Sequence, residues 1–133
     1  MSDATEALVR SFVERINAHD PEGLLALCSS DHTFIDSLGN HLAGNQNLLH
    51  AWRGYFTLFP DYRIEITTLL NAGLYVAAFG TASGTLAGAS DTSHSYWSIP
   101  AAWLATIKDG RVSTWQVYAD NTPVYEIVSR AIT

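Results

Sequence analysis

The chain reads as an α+β domain in which helices cover one face of a curled antiparallel sheet. Three observations give that reading. Apolar residues recur at helical spacing through most of the stretch before residue 60, the period changes to two from residue 62 onward, and Gly-containing turns separate the later segments. At 133 residues the chain is sized for a single domain, residues 1–133, which would bury roughly two thirds of the surface its unfolded form exposes.

The first segment sets Ala7, Leu8, Val9, Phe12, Val13 and Ile16 against Glu6, Arg10, Glu14 and Arg15, which predicts a helix over 3–18. His19-Asp20-Pro21-Glu22-Gly23 then places a capping Asp before a Pro at the first helical position. A short second helix follows over about 21–28, with Leu24, Leu25 and Leu27 as its stripe and Cys28 as a small core residue. Residues 32–36 form a short strand that ends on Asp36 before the turn-like Ser37-Leu38-Gly39-Asn40. Gly44-Asn45-Gln46-Asn47 opens a third helix carrying Leu48, Leu49, Trp52, Tyr55, Phe56 and Phe59, and Pro60 ends it.

Beyond residue 62 the alternation of Arg63-Ile64-Glu65-Ile66-Thr67 and the hairpin turns at Asn71-Ala72-Gly73 and Lys108-Asp109-Gly110 predict a four-strand antiparallel meander. Gly80, Gly84 and Gly88 mark bulges or a sharp bend along its second strand. A small-residue loop over 87–95, mobile or engaged in contacts, holds His94, placed to close over a pocket. The last strand delivers Asp120 before Thr122-Pro123, and residues 124–130 form a short closing helix.

Hydrophobic residues make up 47% of the chain and charged ones 15%, against about a quarter in ordinary soluble domains, so much of the surface must be apolar or hidden. The net charge of −6, with no basic cluster, argues against nucleic acid as a partner. The lone Cys28 permits no internal disulfide, and no His, Cys or carboxylate spacing suits a metal. The polar, acidic N-terminus reads as neither signal peptide nor membrane span, giving the expectation of a cytoplasmic protein.

Two acids, Asp36 and Asp120, end β-forming runs. If both look into one apolar hollow, each loses hydration in its charged form, its pKa rises, and it can carry protons near neutral pH. The alternative is that both merely cap turns. Parity puts Asp120, Tyr118 and Gln116 on one side of the last strand and Trp115 and Val117 on the other. The expectation is that the first set faces the helices and pocket. The opposite, convex face, bearing Trp97, Trp103 and Trp115, then meets a second copy in a homodimer. Trp52, Tyr55 and Phe56 form a helical stripe that also walls the hollow.

Four runs carry a resemblance: Phe12-Val13-Glu14-Arg15-Ile16-Asn17-Ala18-His19-Asp20, Asp31-His32-Thr33-Phe34-Ile35-Asp36, Phe59-Pro60-Asp61-Tyr62 and Trp115-Gln116-Val117-Tyr118-Ala119-Asp120. Together they resemble SnoaL-like polyketide cyclases, of the nuclear transport factor 2-like and ketosteroid isomerase-like superfamily. The resemblance covers nearly the whole chain and implies a cone-shaped α+β barrel, a cystatin-like roll of curved sheet wrapped around three N-terminal helices. It further implies cofactor-free and metal-free acid/base closure of a hydrophobic carbonyl compound. Asp120 then stands at the position of the base, Asp36 where related isomerases keep theirs, and Tyr118, Gln116, His32 and His41 as candidate donors to an enolate oxygen. Phe12 and Ala102 stand where those isomerases place their oxyanion-hole donors, and Pro100-Ala101-Ala102-Trp103 lacks the Arg and Asp of related epoxide hydrolases. Three readings of function follow: an acid/base cyclase or isomerase, a binding module with the same cavity and no turnover, and a dimerisation domain whose cone is filled by its own side chains.

Overall fold

Pro60 divides the chain much as its hydrophobic period predicts. In the computed structural model, which describes residues 2–89 and 94–131, most of the earlier part is helical and most of the later part is strand. The elements are α1 (Ser2–Asn17), α2 (Pro21–Ala26), β1 (Cys28–Ile35), β2 (His41–Ala43), α3 (Asn45–Leu58), β3 (Arg63–Ala72), β4 (Tyr75–Thr85), β5 (Tyr96–Lys108), β6 (Arg111–Tyr118) and α4 (Thr122–Ala131). One six-stranded sheet runs β2-β1-β6-β5-β4-β3. None of the described helices is long and apolar enough to cross a membrane.

Helix α1 buries Val9, Phe12, Val13 and Ile16, the i, i+3, i+4, i+7 stripe of its sequence. Each such burial contributes about 1.5–3 kcal/mol against an exposed reference. The carboxamide of Asn17 then ties the helix end to the sheet, accepting from the Ile64 amide (2.8 Å) and donating to the Ile64 carbonyl (2.9 Å). Asp20 caps α2 by accepting from the Gly23 amide at 3.0 Å, with Pro21 at the first turn.

The sequence places Cys28 in the second helix; it instead opens β1. The Leu27 carbonyl accepts from the Val112 amide (2.9 Å) and the Ala26 carbonyl from Arg111 (2.6 Å), so the chain leaves α2 to pair with the far end of the meander. Cys28 is buried there, and loss of hydration pushes its thiol up to about 12. β1 lies parallel to β6, the one parallel pairing among the described residues, and the three-residue β2 extends that edge. The meander β3–β6 has the expected order.

The sheet carries three irregularities, one between Cys28 and Thr33 where β1 meets β6 and two in the meander. Of the meander pair, one lies between Ile66 and Thr68 opposite Gly80, and the other between Thr106 and Ile107, where Ser113 is the extra residue of β6. A Cβ added at Gly80 would stand 1.8 Å from the Glu65 carbonyl oxygen, so only glycine lets the bulged strand approach this closely. Of the loop over 87–95, residues 90–93 lie outside the described residues; its ends are joined by the Leu86 amide and Ser95 carbonyl at 3.1 Å. His94 is exposed beside it.

The concave face carries the core, and here the expected assignment of faces is reversed. Trp97 (3% exposed), Trp103 (2%) and Trp115 (1%) point inward to the helices, not outward to a partner. The reason is that a single sheet has only one covered face, and the largest apolar side chains lose most by staying outside it. Trp115 packs on Phe12 of α1 (4.7 Å between ring centroids) and stacks with Trp103 (6.2 Å).

His32, expected among the pocket donors, is buried in this same layer beside Phe12. Its Nδ1–H donates to the Val112 carbonyl at 2.7 Å, and its Nε2 has no partner. Burial pulls its pKa below the ordinary 6.5, against the opposing pull of the Val112 carbonyl and the Asp31 charge.

Two outcomes follow. Gly80→Ala should cost more than about 2 kcal/mol in chemical denaturation, whereas Gly54→Ala on α3, where an added Cβ meets nothing, should gain about 0.5–1 kcal/mol. For His32, whose folded pKa is depressed, the unfolded chain binds the extra proton. Stability should therefore be complete above about pH 6.5 and fall as pH drops from there toward the folded value. His32→Asn, whose amide can still donate to Val112, should flatten that part of a stability-against-pH curve.

Candidate functional site

A cavity of about 300 Å³ opens within the concave face. Its wall draws on seven of the ten elements, beginning with Phe34 and Leu42 from β1 and β2, Leu48, Ala51, Trp52 and Tyr55 from α3, and Tyr62 beyond it. The sheet adds Ala82, Trp97, Ile99, Ala101, Trp103, Trp115 and Val117, and the C-terminal segment adds Ala119, Asn121, Val124 and Tyr125. All four tryptophans of the chain stand in this wall. Asp36 and Ser37 lie at its edge. Small residues on β4 and β5, facing in between large ones, leave the space.

The expected catalytic residue Asp120 is not in the cavity. Side chains alternate along the end of β6, so Ala119 and Asn121 take the inner positions and Asp120 lies exposed on the outside. Its Oδ1 accepts from the Thr122 hydroxyl (2.6 Å) and amide (3.0 Å), which hold its carboxyl below the ordinary carboxylate range. This is the turn-capping alternative, at the start of α4.

Asp36 does reach the cavity's edge, but its oxygens serve its own turn. Oδ1 accepts from the Leu38 and Asn40 amides, both at 2.9 Å, and Oδ2 from the Asn40 side chain at 3.1 Å. Partial burial pushes the Asp36 carboxyl up, yet the donors of Asn40, Leu38 and Gly39 outweigh it and keep it below its ordinary value. A carboxylate so held stays ionised and is a weak base, the opposite of the raised acid that the sequence suggested.

Gln116, Tyr118 and Ala102 also change sides. Ala102 pairs with Tyr118 across β5 and β6, both on the convex face, where Tyr118 is 52% exposed, and Gln116 shares their side. His41 is exposed on β2. Phe12 is fully buried behind Trp115 and Phe56 is stacked on His19 (4.3 Å), so both support the wall from behind. Trp52 and Tyr55 stand in the wall itself.

The sequence reading missed Tyr62, Asn121, Val124 and Tyr125, and it put three wall tryptophans on the wrong face. The signal that could have recovered them is the size of the side chains: of the two parity sets on β6, the one with Trp115 and Val117 is the bulkier apolar set and belongs under the helices.

The polar inventory of the wall is short. Asn121 is engaged, its Nδ2 donating to the Ser37 hydroxyl at 2.8 Å. The phenols of Tyr55 and Tyr62 are held protonated, because burial pushes both well above the ordinary tyrosine value, with Tyr125 adding to the effect on Tyr55 and Tyr55 to that on Tyr62. The indole N–H of Trp97 is buried without a partner. Among the described residues, no three His, Cys, Asp or Glu side chains gather as metal ligands would.

Solved structures share this architecture at low identity. A ketosteroid isomerase-like-fold protein from Catenulispora acidiphila, crystallised with trimethylamine, aligns with a TM-score of 0.79 at 19% identity over 92% of both chains. A candidate SnoaL-like polyketide cyclase from Jannaschia gives 0.83 at 16% identity, over 96% of this chain and 93% of the other. An epoxide hydrolase resembling limonene epoxide hydrolase, from M. tuberculosis, gives 0.78 at 14% identity, over 98% and 93%. No curated protein matches the sequence. Hydrolase, cyclase and isomerase-like proteins thus share one shell, and the shell alone does not select among them. The family model for the SnoaL-like domain matches residues 9–115, four fifths of the chain, from within α1 to within β6, and the chain belongs to that family.

Proposed function

We propose that the domain binds a small, mostly apolar molecule in its cavity without using Asp120 or Asp36 as proton carriers. One observation carries this: an aromatic hollow of about 300 Å³, the size of an ordinary ligand site, whose single bordering carboxylate is committed to its own turn. General base catalysis needs a carboxylate poised near the working pH and within reach of a substrate proton. Asp120 meets neither condition, being exposed and lowered in pKa, and Asp36 lacks the first. That a protein of the same fold was crystallised with a small organic molecule supports the binding reading.

A second copy of the chain on the convex face is the partner we propose. Leu70, Tyr75, Phe79, Tyr96 and Tyr118 are 41–57% exposed there, around Ala102 and Leu104. The centre of this face on β4, β5 and β6 bears no charged side chain, so two molecules of net charge −6 can meet there without bringing like charges together.

N-phenyl-1-naphthylamine, a neutral apolar fluorophore, should brighten with the wild-type protein and with Asp120→Asn at the same affinity within about twofold. Ala101→Trp, which fills the hollow, should weaken it tenfold or more. The absence of any brightening with wild type would remove the proposal. Acetophenone in deuterium oxide should exchange its methyl protons no faster with the protein than without it; acceleration lost in Asp36→Asn would restore the acid/base reading.

Light scattering at micromolar concentration should give twice the 14.5 kDa chain mass, and Phe79→Glu should halve it. A monomeric wild type would exclude the convex-face pairing.

A further inference from the structure

Resting on that binding reading, we infer that the cavity selects organic monocations whose charge sits on an alkylated nitrogen, held among aromatic rings with the Asp36 carboxylate as counter-ion. Eight of its twenty described wall residues are aromatic. All four tryptophans, the rings that attract cations best, are among them. A ligand that fills about 300 Å³ touches rings from both layers, Trp52 and Tyr55 of α3 on one side and Trp97, Trp103 and Trp115 of β5 and β6 on the other.

Charge gives the second, independent pointer. Asp36 is the only charged side chain among the described wall residues, and no Lys, Arg or His among the described residues pairs with it. Its hydrogen bonds come from neutral donors, the amides of Leu38 and Asn40 and the Asn40 carboxamide, which orient the carboxylate without cancelling its charge. Oδ1 takes two of them and Oδ2 one, so Oδ2 keeps a free acceptor position. Partial burial pushes its pKa up, but those donors outweigh the burial and hold it below the ordinary carboxylate value, so the charge persists at neutral pH. A half-buried carboxylate beside apolar surface and without a countercharge is costly. On a chain of net charge −6, it also draws cations toward the hollow and repels anions.

The rest of the wall narrows the class. A primary ammonium carries three N–H donors and a tight hydration shell, and a wall of mostly aromatic and aliphatic side chains is poorly suited to replace that shell. A nitrogen bearing three or four alkyl groups has at most one N–H, holds water weakly and spreads its charge over carbon-bound hydrogens that can lie against rings. A neutral molecule of the same shape gains the same apolar contact and leaves Asp36 without a countercharge.

Calorimetric titration with N,N,N-trimethylanilinium, its neutral isostere tert-butylbenzene and the primary benzylammonium ion tests this. Trimethylanilinium should bind about tenfold tighter than tert-butylbenzene, the combined scale of a cation–π contact and one partly solvated ion pair, and tighter than benzylammonium. Asp36→Asn, whose carboxamide oxygen can still accept from the turn amides, should lower that tenfold ratio about fivefold while leaving tert-butylbenzene within about twofold. Asp120→Asn removes the same charge from the exposed outside of the neighbouring turn and should leave the ratio within about twofold. Wild-type binding of tert-butylbenzene as tight as that of the cation would overturn the charge selection and leave the cavity reading standing. A ratio unchanged in Asp36→Asn, or lowered equally in Asp120→Asn, would overturn Asp36 as the counter-ion, and tighter binding of benzylammonium would overturn the alkylated-nitrogen class. If none of the three binds while N-phenyl-1-naphthylamine does, this inference alone fails; if the fluorophore fails as well, the cavity reading falls with it.

Discussion

A single curled sheet can hide only one of its faces, and the rest of this molecule depends on which residues take that face. Trp97, Ile99, Ala101, Trp103, Ala105 and Ile107 occupy it along β5, and Val112 and Trp115 along β6, all at 8% exposure or less. Helix α1 supplies Phe12 as the plate on which Trp115 rests, and α3 with the Phe59 that follows it supplies Trp52, Phe56 and Phe59 as the opposing layer. With rings of this size on both sides, the layers cannot interdigitate everywhere at the density of a filled core. The space they leave between them is the cavity.

The carboxylates that look most chemical in the sequence belong to the frame. Asp36 organises the turn between β1 and β2, collecting two amides and a carboxamide, and Asp120 receives the first amide of α4. Both elements border the hollow, β2 through Leu42 and α4 through Val124 and Tyr125. The Asn121 to Ser37 hydrogen bond joins the two turns directly. The acids therefore shape the site by fixing the segments around it, and the hydrogen bonds that do so are what lower their pKa values. An acid with free oxygens in the same hollow would have been pushed the other way. Position at a strand end and chemical role are separable, and local hydrogen bonding decides between them.

Sequence patterns reached the element order and the meander because these rest on local signals: the 3.6-residue stripe of α1, the Asp20-Pro21 start of α2, and the glycine turns of the β3–β4 and β5–β6 hairpins. They did not reach the parallel pairing of β1 with β6, which joins Phe34 to Trp115 across most of the chain, or the three-residue β2. Nor did they settle which face is which. Alternation on β5 and β6 separates two sets of side chains correctly but does not label them, and here both sets are apolar: Trp103 and Ile99 inside, Leu104 and Ala102 outside. The acid at the end of β6 points to the wrong face, because its own turn holds Asp120 outside while Ala119 and Asn121 face in. Trp52 and Tyr55 were placed in the wall by a helical stripe whose burial does not depend on that label.

The hollow itself is the feature least expected on stability grounds. At about 24 cal/mol per Å³, an empty sealed void of about 300 Å³ would cost about 7 kcal/mol, within the roughly 5–15 kcal/mol that holds a whole domain folded. Any water that enters would lower that figure, but apolar walls offer water few partners. The space is kept by alanines, Ala51, Ala82, Ala101 and Ala119, each facing in beside much larger neighbours. Any one of them could carry a longer side chain on geometric grounds and reduce the void. A wall of tryptophans held apart by alanines, with one indole N–H left unsatisfied, stabilises the empty protein less than a filled core would. Its arrangement makes physical sense when something else fills it.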